Sequence, residues 1–249
     1  MVSSGAQPEP SLTQEGDRFV FHNLPYLGRT LPSVALTPLL YHGSRQTHDQ
    51  WRTHAAANNL SIPNSVLWYQ MLRQLYHARD AGNAAVDALA QELRSEFDAY
   101  FLHTGTKILY GSGLVAVINH LELDGSPRQV TLDIPAFTRY DDNWSYLTLA
   151  PVQPVSYLGN VSPLPAGATP VLEAFFGAGH EEAGAVFQYA ASRKDNNGTL
   201  REVRLWVPST TNRNTERCFV LGVYVDDGFV SSAGGNVSGL HARGAVVAS

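Results

Sequence analysis

The chain has 249 residues, 44% of them hydrophobic and 16% charged, with a formal net charge of −5 and a pI of about 6.0. That is enough apolar material for a packed core and too little charge for wholesale disorder. An acidic molecule offers no global basic field to nucleic acid or to an anionic membrane, so any such contact has to come from a local patch.

In chain order, residues 1–17 are rich in Ser, Gly, Pro, Gln and Glu and are expected to form a disordered lead-in. Phe19-Val20-Phe21 fits a short strand, and Ser33 fits the N-cap of a short helix running through Leu39 and Leu40. Thr47 and Gln50 have the spacing of a capping box, with Trp51, Ala55 and Ala56 following at helical intervals. Ser61 is expected to cap a second helix carrying Pro63 in its first turn, along which Leu67, Met71 and Leu75 recur every four residues. After Gly82, Asn83 caps a third helix, whose apolar stripe runs through Val86, Leu89, Leu93, Phe97, Tyr100 and Phe101.

Past His103 the period changes to two. Strands are predicted at 106–110, 114–121 and 144–149, with Asp124-Gly125 as a turn and Val130, Leu132 and Ile134 on the return. Residues 151–170 hold five prolines and read as a loop, and 181–192 fits a helix. Alternation resumes at Val203 to Val207 and at Phe219 to Val225, and a last strand is expected at 245–247. The fold predicted is α+β: three to four helices in an N-terminal region, 18–103, then a mainly antiparallel β domain with one or two helices, 104–249. The stripe ending at Phe101 leaves two organisations open, separate regions or one core shared between them.

Chemistry-bearing signals are sparse. Cys218 is the one cysteine and lies in the apolar run Cys218-Phe219-Val220-Leu221, which favours a small buried hydrophobe over a nucleophile. It excludes a disulfide within the chain and fits a reducing compartment. No apolar leader or bilayer-length segment is visible, so a cytoplasmic location without membrane contact is expected. Gly179-His180-Glu181-Glu182 lacks the second zinc-ligand His, and its two Glu suit a helix N-terminus. Gly111-Ser112-Gly113 lacks the spacing of a nucleophile elbow. The first sheet strands can bring His103 and His120 together. No cofactor is expected.

Three segments resemble known motifs. Leu39-Leu40-Tyr41-His42-Gly43-Ser44-Arg45 resembles the first strand motif of poly(ADP-ribose) polymerase-like transferases, though the Gly-x-Tyr strand which that family carries next is missing; the other reading is a helix end at His42-Gly43. Val223-Tyr224-Val225-Asp226-Asp227-Gly228 resembles the Tyr-x-Asp-Asp hairpin of reverse transcriptases, which implies metal binding by Asp226 and Asp227 with Asp133 or Asp141 as a third ligand. The same residues also make an ordinary Asp-Gly hairpin, the reading preferred here. Thr47 to Arg79 resembles the small helix-turn-helix repeats beside homing endonucleases. The segment 44–80 carries four Arg and two Asp, so it is locally basic. The resemblance implies Asn64, Gln70, Arg73 and Gln74 facing a groove and Arg52 a phosphate. Trp68, Met71, Leu72, Leu75 and Tyr76, however, give the second helix the all-round apolarity of a buried one.

The function expected is therefore that of a soluble binding or interaction protein for a protein or small-molecule ligand. Two alternatives stand beside it: a nucleic-acid module at 47–80, and an enzyme whose site assembles from dispersed residues.

Overall fold

A computed structural model of the chain describes residues 9–99, 102–110, 114–119, 128–133, 138–139, 144–150, 168–177, 181–191, 203–208, 216–224, 228–232 and 239–248. It begins with strands, not helices. β1 (Ser11–Glu15), β2 (Arg18–Tyr26) and β3 (Arg29–Gln46) form an antiparallel meander.

This overturns the expected helical N-terminal segment, for three physical reasons. Pro38 falls inside the helix drawn from Ser33, where its missing N–H and its ring are not tolerated. Val34 and Leu36 instead alternate inward opposite Phe21 and Phe19 of β2. The turn between the two strands is Leu27-Gly28, both residues at positive φ, +47° and +81°, as a two-residue hairpin of the primed type requires. The supposed lead-in likewise supplies β1, whose Leu12 is buried, and Gly16 at φ +63° turns the chain into β2.

The remaining elements are α1 (His48–Ala57), α2 (Ser65–Ala78), α3 (Ala84–Ala99), β4 (Leu102–Tyr110), β5 (Leu114–Asn119), β6 (Arg128–Asp133), β7 (Thr138–Arg139), β8 (Trp144–Ala150), α4 (Ala168–Phe176), α5 (Ala183–Ala191), β9 (Val203–Pro208), β10 (Glu216–Tyr224), β11 (Gly228–Ser232) and β12 (Gly239–Ala248). The described strands join in one twelve-stranded sheet, ordered β1-β2-β3-β12-β4-β10-β11-β9-β8-β7, with β5 and β6 branching from β4. Pairing is antiparallel except for β11 with β9 and β12 with β4. The last strand thus sits between the N-terminal meander and the rest of the sheet.

The protein is α+β with a mostly antiparallel sheet. The main core lies on one face, where Trp68, Leu72, Leu89, Phe97, Phe175 and Phe187 of α2 to α5 meet Phe19, Leu36, Leu102 and Phe219 of the strands. A smaller cluster of Trp51, Ala55, Ile62 and Ala242, flanked by Leu40 and Leu60, lies beneath α1. Ala242 belongs to this small cluster and Ala245 to the main one, so β12 presents opposite faces to the two.

The connector from α1 to α2 passes between these faces. Ser61 exchanges both backbone hydrogen bonds with Ala245, and Gly105 N donates to Pro63 O at 2.8 Å. The connector therefore occupies the gap where β12 and β4 part after pairing only at His241–Leu102 and Ala242–His103. Gly244 makes room for it, since a Cβ there would stand 2.8 Å from Leu60 Cδ1. The cap of α2 is consequently Asn64 and not Ser61, whose backbone is committed to β12.

Candidate functional site

Four groupings of polar side chains emerge from this frame. The first lies under α1. The Thr47–Gln50 capping box sets the start of that helix, with Thr47 N donating to Gln50 Oε1 at 2.8 Å. His48 and Trp51 then face the sheet. Below them Cys218 Sγ of β10 lies 3.1 Å from Nδ1 of His103 on β4 and 3.6 Å from Nδ1 of His48. The Trp51 ring tilts against that of His103 at 6.3 Å between centroids. Cys218 is 7% exposed and His103 wholly buried. Burial pushes the thiol up to about 12, against the lowering effect of the Thr104 backbone and Lys107, so the sulfur is a protonated thiol at neutral pH. At the rim Lys107 Nζ stands 3.6 Å from Asp49 Oδ1, an ion pair between β4 and α1.

The second grouping joins α2 to the start of α5. Glu182 accepts from Arg73 Nε and lies 3.0 Å from His77 Nε2. Burial acts to raise the Glu182 carboxyl, but hydrogen bonds and charge from Arg73 and His77 outweigh it and hold the group below its ordinary value. Glu182 also stands at the N-terminus of α5, its carbonyl accepting from Val186 N. The third is enclosed between β12 and α3. Arg243, wholly buried, donates to Glu96 Oε2 at 2.8 Å, to Glu92, and to the Thr37 carbonyl at 2.8 Å. Thr37 opens the β3 bulge at Pro38, and its Oγ1 accepts from Gly244 N.

The fourth grouping is at the surface. Tyr41, 64% exposed, packs against His241 with centroids 5.3 Å apart and the ring planes tilted by 39°. The next residue, His42, lies on the opposite face of the strand, where it meets His54 of α1 edge-on at 5.5 Å. His42 Nδ1 is held 2.9 Å from Gln46 Nε2 and 3.2 Å from Ser44 Oγ. Partial burial holds the His241 imidazole below its ordinary value, so it is neutral at physiological pH.

The residues predicted for a nucleic-acid groove do not share a surface. Asn64 is wholly buried, accepting from Leu67 N at 2.9 Å and donating to the Tyr26 hydroxyl at 2.7 Å. Gln70 and Gln74 are buried as well, on a helix enclosed by β2, α4 and α5. Arg73 is bound to Glu182, and Arg52 is half-buried on α1, 3.9 Å from Asp49. The predicted metal residues Asp226 and Asp227 lie outside the described residues, as do Asp141 and His120; Asp133 ends β6, and its side chain also lies outside them. The segment Leu39–Arg45 is strand, not the helix end of the alternative reading.

Among the described residues no group of three or more His, Cys, Asp or Glu is placed to hold a metal ion. Sequence reasoning missed the Cys218–His103–His48 contact, the Arg243 cluster and the Tyr41–His241 pair, all of which join residues far apart in the chain. No family model, curated protein or solved structure matches the chain.

Proposed function

We propose that this chain is a binding protein whose recognition surface lies at the far end of β3, around the Tyr41–His241 pair. The exposure of Tyr41 carries the reading. An aromatic ring 64% exposed, resting on a neutral imidazole, offers a large apolar area with a hydrogen-bonding tip. The one thiol is enclosed and protonated, so it contributes nothing to this surface.

The partner favoured is a protein segment able to cover an aromatic ring. Peptides selected from a random phage-displayed library against the folded chain test this. Tyr41→Ser with His241→Ser is expected to weaken their binding by about thirtyfold, the scale of losing an aromatic hot spot. Peptides that bind wild type and variant alike overturn it.

A further inference from the structure

We propose that the partner is an extended peptide segment that adds a strand to the open edge of β3 at Leu39-Leu40-Tyr41, an inference that rests on the recognition surface proposed above. β3 runs for 18 residues, but β2 accompanies it only from Arg29 to Leu36. There β2 turns back into β1 through Gly16, at φ +63°, with Arg18 already facing Glu15. Beyond that point β12 holds one edge of β3, pairing Leu39, Leu40 and Tyr41 with Arg243, Ala242 and His241. Among the described residues no strand pairs with the other edge of this stretch.

A strand edge is specific about what it accepts. In an antiparallel ladder, alternate residues direct both backbone groups to the same neighbour. Within Leu39-Leu40-Tyr41, the residues that β12 does not engage therefore turn theirs to the open side. An extended main chain matches that N–H and C=O spacing, which is how peptides are recognised by strand addition. Pro38, which has no N–H, and the register shifts on either side confine the pairing to these three residues. Side chains add selectivity. Leu39 packs on the main core and Leu40 on the cluster beneath α1, both half-buried, while Tyr41 is exposed. The edge thus shows apolar area on both faces of the strand, Leu39 and Tyr41 on one and Leu40 on the other. A segment with β-branched or aromatic residues in succession covers both at once.

The experiment takes a peptide selected from the phage-displayed library and N-methylates its backbone one residue at a time. Each change removes an N–H donor and leaves the side chain intact. Strand addition requires a period of two. Methylation at alternate residues should weaken binding about tenfold, the scale of one lost hydrogen bond, and at the intervening residues hardly at all. Hydrogen exchange gives the matching readout on the protein, with protection gained on binding at alternate amides only from Leu39 to Tyr41. A peptide that is lost with Tyr41→Ser and His241→Ser, yet tolerates every N-methyl group or weakens without alternation, overturns strand addition and leaves the recognition surface standing. A peptide indifferent to those two substitutions overturns the surface and this inference with it, as does a library that yields no binder. Dimers of the chain in sedimentation equilibrium that dissociate with Leu40→Lys overturn the choice of partner, because a second copy then takes the edge.

Discussion

On one face of the sheet, α2 to α5 link the rings of Tyr69, Phe175, Phe176 and Phe187 and set Trp68 against Phe97. Trp68 meets Phe97 at 6.5 Å and Phe175 meets Phe219 at 5.3 Å. On the other face α1 sets a single tryptophan, Trp51, over small residues and an imidazole. Both tryptophans are 1% exposed. Burial of the ring is therefore equal, and what differs is the number of elements that depend on it. Trp68→Ala opens a cavity among several helices and is expected to cost about 3–5 kcal/mol in urea unfolding. Trp51→Ala should cost the global transition only about 1–2 kcal/mol, because release of α1 leaves the main cluster standing and limits the loss. Equal losses would break the comparison and make the two faces one cooperative unit.

The polar contents of the two faces differ as well. Behind α1 lies a neutral thiol, whereas under α3 lies a full charge, Arg243, with Glu96 and Glu92 around it. A buried pair is weak grounds for stability, yet removing one partner leaves the other without compensation. Arg243→Ala is expected to cost about 3–5 kcal/mol at pH 7. A loss below about 1 kcal/mol in urea unfolding contradicts this account.

Glu182 ties α2 to α5 on the main-core face. Its folded value lies below the unfolded one, so its contribution is present above the unfolded value and is lost as pH falls through the folded value. Glu182→Gln should therefore cost about 1 kcal/mol at pH 7, allowing for its partial exposure, and almost nothing below the carboxylate range. Persistence of the deficit in acid would assign it to packing instead of charge.

How much of this was legible in the sequence follows from the range of the interactions. The capping box at Thr47, the stripe from Val86 to Phe97 and the alternation after His103 are local patterns, and each corresponds to α1, α3 or β4. The segment from Ser33 to Leu40 is strand because β2 pairs its first half and β12, some 200 residues later, pairs its other edge, and only the first of these partners is near in the chain. Pro38 was the local signal against a helix there. The candidate surface was harder still. Tyr41 acquires His241, and Cys218 acquires His103, only through a sheet whose strand order does not follow chain order.

The smallest expected effect concerns the turn that starts β3. Leu27 is held at φ +47°, a conformation that costs an L-residue with a full side chain about 1–2 kcal/mol. Nothing in Leu27-Gly28 announced it, whereas Asn-Gly would have done so at once. Leucine is not idle here, however. A Cβ at Gly177 would stand 3.1 Å from Leu27 Cδ2 and 2.8 Å from Val66 Cγ1, so Leu27 reaches back to the end of α4 and the start of α2. Leu27→Asn relieves the backbone and gives up that contact. Because the side chain is already 38% exposed, the backbone should win, raising stability by about 0.5 kcal/mol and the Tm by about 1–2 °C. A fall in Tm would mean that this turn is held by the main-core face it touches, extending that cooperative unit as far as the β2–β3 hairpin.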